Sequence, residues 1–101
     1  MALSLEEFLA EHPVDEKKVQ LYKEKMLAEV RGYRLRELRE AAGFTQSELA
    51  SKIGVSQRQV SKIERGDIEN SRIGTIRSYL RAVGGDLSLD FIHGDLRVHV
   101  A

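Results

Sequence analysis

A mainly helical fold with a terminal β-hairpin is predicted by three features of this 101-residue sequence. Apolar residues recur at steps of three and four from Val19 to Val83, the spacing of a helix face. A Ser or Thr followed three residues later by Glu or Gln, a helix-start signal, occurs at Ser4, Thr45 and Ser56. After Gly84-Gly85 the period falls to two, which is the spacing of a strand.

The first element is short. Ser4 and Glu7 form a capping box, and Leu5, Phe8 and Leu9 make one apolar side. His12-Pro13 should end it, because the residue before proline avoids the helical region. A helix of this length does not hold itself together in water, so it needs a surface to lie on. Asp15 is the expected cap of the second helix. Its face is Val19, Tyr22, Met26, Val30 and Tyr33, continued on a shifted face by Leu35, Leu38 and Ala42. Gly32 within it is either a hinge or a small residue under a neighbour, and Gly43 closes the helix.

Thr45-x-x-Glu48 then starts a helix with Leu49, Ala50 and Ile53 inward. Gly54 allows a tight turn. Ser56-x-x-Gln59 starts the next helix, with Val60 and Ile63 inward and Gly66 at its end. Ile73, Ile76, Leu80 and Val83 mark a fifth helix. The hairpin follows: Leu87, Leu89 and Phe91 alternate with polar residues, as do Leu96, Val98 and Val100, with His93-Gly94-Asp95 between the runs. A lone hairpin is marginal in water, so one face must pack on the helices or pair with another chain.

Composition narrows the function. Hydrophobic residues at 42% and charged residues at 32% are a globular balance, and no apolar run is long enough to cross a bilayer. No signal peptide is evident and there is no cysteine, which together favour the cytoplasm and exclude thiolate chemistry. The net charge is zero but unevenly placed. Residues 1–30 carry four Lys against seven acids, residues 31–81 eleven Lys or Arg against six, and residues 82–101 one Arg against three Asp. A basic middle between acidic ends suggests separate tasks for separate segments. His12, His93 and His99 lack a metal-ligand spacing, and neither a Ser/His/Asp elbow nor a phosphate-binding loop is present. No cofactor and no catalysis are expected.

The stretch TQSELASKIGVSQRQVSKIERGD, Thr45–Asp67, places two capped helices either side of a Gly-containing turn. That is a helix-turn-helix, whose second helix enters the DNA major groove. Gln offers two hydrogen bonds to adenine, and Arg or Lys to guanine. The second helix is loaded with such residues: Gln57, Arg58, Ser61 and Lys62 are the candidate base contacts.

From Tyr33 to Val83 the sequence resembles the Cro/C1-type (XRE) helix-turn-helix proteins, through LRELREAAGFTQSELASKIGVSQRQVSKIERGD and TIRSYLRAVGG. The resemblance implies a Cro/C1-type bundle in which Ala50 is the small residue at the helix contact. It implies DNA backbone contacts from Gln46, at a helix start where free N–H groups attract phosphate. Ser56, Gln59, Arg34, Arg65 and Arg72 are further backbone candidates. It also implies a structural ion pair between Arg39 and Glu64. The whole chain, with its long N-terminal segment and LRAVGGDLSLDF, looks like HigA-type antitoxins. Members of that group bind a small basic ribonuclease toxin of the RelE/HigB kind and repress their own operon.

Three segments are therefore expected: an N-terminal helical arm over residues 1–32, a DNA-binding domain over 33–85 and a hairpin over 86–101. The acidic, apolar arm supplies candidate toxin contacts in Leu5, Phe8, Leu9, Val19, Tyr22 and Met26. Its alternative role is to complete the core or a dimer. Family members bind palindromic double-stranded DNA as dimers. The candidate dimer residues are Leu87, Leu89, Phe91, Leu96, Val98 and Val100. The expected site is a bacterial nucleoid within the cytoplasm. The other reading is a stand-alone XRE repressor with no toxin.

Overall fold

Helix signals and strand signals both give the expected elements in the structure, a computed structural model that describes residues 4–11 and 15–101, without the side chains of Phe8 and Leu9. The described elements are α1 (Leu5–Glu11), α2 (Glu16–Ala41), α3 (Gln46–Ile53), α4 (Gln57–Glu64), α5 (Ile73–Ala82), β1 (Asp90–His93) and β2 (Leu96–His99). The fold is mainly helical, with a small C-terminal hairpin. The stop expected at His12-Pro13 lies outside the described residues.

Each start has a chemical cause. Ser4 Oγ accepts from the Glu7 N–H at 3.2 Å. Asp15 Oδ1 accepts from the N–H groups of Lys17 and Lys18. At Thr45 and at Ser56 both arms of the capping box are made. The helix ends also share a cause. At the turn between α3 and α4 the Gly54 N–H reaches Ser51 O and the Val55 N–H reaches Ala50 O. This Schellman closure needs a left-handed residue, and Gly54 supplies it at φ +73°.

The core is formed by α3, α4 and α5 with the second half of α2. Leu49, Ala50, Val60, Ile63, Ile76 and Tyr79 are buried, with Leu35, Phe44, Ile53, Val55 and Ile68 packed round them. Ile73, expected on the inward face of α5, is exposed, and Tyr79 fills that role instead. Ile73 is the first residue of α5, where the chain is still entering from the surface loop.

The N-terminal half of α2 stands outside this core. The helix has 26 residues, about 39 Å at 1.5 Å per residue. The radius of gyration is 19.2 Å, against about 13 Å for a compact chain of this length. Residues 15–27 are all exposed. Contact with the bundle begins at Ala28 and Gly32. A Cβ on Gly32 would lie 2.1 Å from Glu64 O, so Gly32 is the small residue under a neighbour. The boundary expected between residues 32 and 33 thus falls inside one continuous helix, seated on the end of α4.

The hairpin pairs Asp90 with His99, Phe91 with Val98, Ile92 with Arg97 and His93 with Leu96. Backbone bonds between Leu89 and both Val100 and Ala101 extend the pairing. Directly opposed residues share a face, so Leu89, Phe91, Leu96, Val98 and Val100 form one apolar face with His93. Phe91, Leu96, Val98 and Val100 are exposed.

Candidate nucleic-acid interface

The helix-turn-helix is locked from behind by one buried carboxylate. Glu64 ends α4 and is 4% exposed. Arg39 Nε donates to Glu64 Oε2 and Arg39 Nη2 to Oε1, both at 2.9 Å. Arg39 Nη1 donates to Phe44 O at 2.8 Å, tying the pair to the α2–α3 loop. This guanidinium holds its proton more firmly than usual, chiefly through the Glu64 hydrogen bond. The Tyr79 hydroxyl lies 2.9 Å from Leu35 O and 3.2 Å from Glu64 Oε2. Its single proton serves one acceptor at a time. Burial, then the Glu64 charge, pushes its ionisation far above the ordinary tyrosine range, so it stays a neutral donor. One carboxylate therefore joins α2, α4 and α5.

With its inner face fixed this way, α4 turns Gln57, Arg58 and Gln59 to solvent, while Ser61 and Lys62 are half-buried. Arg58 makes no hydrogen bond to the rest of the described chain and is free to reach a ligand. Lys62 Nζ donates to Asn70 O in the loop after α4. Arg65 Nη1 donates to Ser61 Oγ at 3.2 Å. Ser56 Oγ and Gln59 Oε1 are engaged in the α4 cap, which leaves the Gln59 amide nitrogen outward. Gln46 is half-buried, its Nε2 3.5 Å from Glu64 Oε1. Gln46 and Gln57 line one shallow groove with Arg39 and Thr45, so the starts of α3 and α4 are side by side. Arg34 and Arg72 are exposed on α2 and at the start of α5.

The surface can therefore present amides and a guanidinium from one helix end, with free backbone N–H groups of two helix starts nearby. That is a set for base edges and phosphates. Sequence reasoning missed the Tyr79 hydroxyl, the Arg36 guanidinium 3.9 Å from Glu64, and the Lys62–Asn70 bond. Tyr79 had a signal, standing three residues after Ile76. The Asn70 bond had none, since it depends on the path of an irregular loop.

Comparison with known proteins fits this geometry. Residues 35–89 match a family profile described as helix-turn-helix (HTH_3). The chain is 41% identical over 95 residues, 94% of each sequence, to "Putative antitoxin HigA2" of Mycobacterium tuberculosis (strain ATCC 25618 / H37Rv). It is 46% identical over 35 residues, about a third of each sequence, to "Putative antitoxin HigA3" of the same strain. A solved structure described as "DNA bound antitoxin HigA3" superposes with a TM-score of 0.52 at 37% identity, covering 65% of this chain and 86% of that one.

Proposed function

Because the chain belongs to the XRE-type helix-turn-helix family, and along nearly its whole length to the HigA antitoxins within it, we propose that it is a non-enzymatic, DNA-binding antitoxin. It neutralises a RelE/HigB-like ribonuclease toxin and represses its own operon from the nucleoid. The observation that carries the DNA half is the outward side of α4. Arg58 stands free there beside Gln57, while Arg39, Glu64 and Tyr79 hold the helix from behind. In this reading Gln57, Arg58, Ser61 and Lys62 read bases. Lys62 gives up the Asn70 carbonyl to do so. Gln46, Ser56, Gln59, Arg34, Arg65 and Arg72 take phosphates.

The working unit is a dimer on a palindrome. The hairpin supports this reading, because among the described residues its two strands pair only with each other and Phe91, Leu96, Val98 and Val100 of its apolar face are exposed. A second copy covers that face. The Val98→Asp chain should then sediment as a monomer at concentrations where the native chain is a dimer. An undisturbed dimer would move the interface elsewhere.

The experiment for the DNA reading is a titration of DNA from upstream of the chain's own gene against a scrambled duplex. Native protein should prefer the upstream DNA. Arg58→Ala should lose about 1–3 kcal/mol of that preference while keeping its scrambled-DNA affinity. Binding should fall by at least about tenfold between 50 and 200 mM salt. A native chain that binds both duplexes equally would refute sequence-specific repression.

A further inference from the structure

We infer that Arg36, on α2, is a further contact to the DNA backbone and grips the same phosphate as Gln46. The inference rests on the DNA-binding reading and adds a residue to that surface. Its ground is the Glu64 carboxylate. Arg39 donates to both of its oxygens, and the Tyr79 hydroxyl lies against Oε2. Oε1 is approached by two more donors, Gln46 Nε2 at 3.5 Å and Arg36 Nε at 3.9 Å. One oxygen thus brings together a side chain from the start of α3 and one from α2. Gln46 also lines the shallow groove that holds Thr45 and Gln57. Arg36 lines a second groove with Tyr33, Glu64 and Arg65. It therefore adjoins two phosphate-directed residues, Gln46 through Glu64 and Arg65 through this groove.

Charge leaves this guanidinium for an anion. Glu64 carries one negative charge, and the buried Arg39 already balances it with two short bonds. Arg36 adds a second positive charge to the same place. At 3.9 Å its Nε is beyond hydrogen-bond range, and its side chain is 50% exposed against 2% for Glu64. Among the described residues it makes no other ion pair, and Glu29 in the same groove does not reach it. A guanidinium with its N–H groups unspent suits a phosphate, which accepts two of them at once. The helix position agrees. Arg36 precedes Arg39 by three residues, so it lies about 60° from it round the helix, beside the side that meets Glu64. Arg34 lies about 200° round from Arg36 and cannot share its phosphate.

The test titrates the full-length chain with the upstream and scrambled duplexes across a salt series. Arg36→Ala should weaken binding to both duplexes alike, by roughly fivefold or more. The slope of log affinity against log salt should fall by about one. The melting temperature should stay native, because the bridge to Glu64 is half-exposed and long. Arg36→Lys keeps the charge and should restore most of the slope. Gln46→Ala should cost less in the Arg36→Ala background than in the native chain, because two donors to one phosphate are coupled. Native affinity and slope in Arg36→Ala overturn the inference. So does an affinity loss at native slope with a lowered melting temperature, which would make Arg36 a support for Glu64 alone. Strict additivity with Gln46→Ala would put the two on different phosphates and overturn the shared grip. A native chain that binds neither duplex refutes the DNA-binding reading itself.

Discussion

Replacing Arg39 by alanine should destabilise the fold by about 3–5 kcal/mol. The reason is the environment left behind. Glu64 is buried and receives two charge-assisted bonds from Arg39, one to each oxygen. Removing the guanidinium leaves a buried carboxylate with the Tyr79 hydroxyl at 3.2 Å, Gln46 at 3.5 Å and the half-exposed Arg36 guanidinium at 3.9 Å. It also strips Phe44 O of its donor. A small domain has about 5–15 kcal/mol in total, so this loss is a large share. Thermal melts should drop by at least about 12 °C, taking about 4 °C per kcal/mol. Arg39→Met together with Glu64→Leu should recover most of the loss, since a buried pair exchanged for apolar residues is near neutral. Tyr79 would keep Leu35 O as its acceptor. An Arg39→Ala cost below about 1 kcal/mol would show the pair to be no more than a surface bridge.

The second large effect should come from Gly66→Ala, at about 2–5 kcal/mol. Two costs coincide there. Gly66 has φ +79°, which a side chain resists. A Cβ would also lie 1.9 Å from Ala28 O, a backbone atom of α2 that cannot turn aside. Gly43 separates the two costs. It has φ +84° with nothing within 4 Å of its would-be Cβ, so Gly43→Ala should cost only about 1–2 kcal/mol. Denaturant midpoints of the two variants decide the matter. Equal costs would mean that α2 and α4 do not meet backbone to backbone.

These two predictions mark what the sequence could and could not disclose. The caps at Thr45 and Ser56, the turn at Gly54 and the inward pair Val60 and Ile63 were legible, because each depends on residues within four positions. So was the change of period into the hairpin. Gly32 was ambiguous for the opposite reason. What makes it necessary is the Glu64 carbonyl, 32 residues away. Sequence separation also hid the Tyr79 hydroxyl behind an apolar pattern, since its partners Leu35 and Glu64 lie 44 and 15 positions away. The arm was visible as an acidic, amphipathic segment. Its end was not, because the helix runs unbroken into the bundle and only packing on Gly66 shows where contact begins. At the nucleic-acid face the residue types were legible from the motif. Their resting partners, Asn70 for Lys62 and Arg65 for Ser61, follow from loop path and side-chain reach.

The central claim is that one chain carries two tasks, DNA recognition by α4 and neutralisation of a toxin by the acidic N-terminal arm. Growth of cells expressing the adjoining gene product tests it most directly, with native chain, Arg58→Ala, or Tyr22→Ala with Met26→Ala supplied from a second, independently controlled promoter. The account predicts arrest by the product alone, full rescue by the native chain and by Arg58→Ala, and poor rescue by Tyr22→Ala with Met26→Ala. A product that arrests growth and is not countered by the native chain would contradict it.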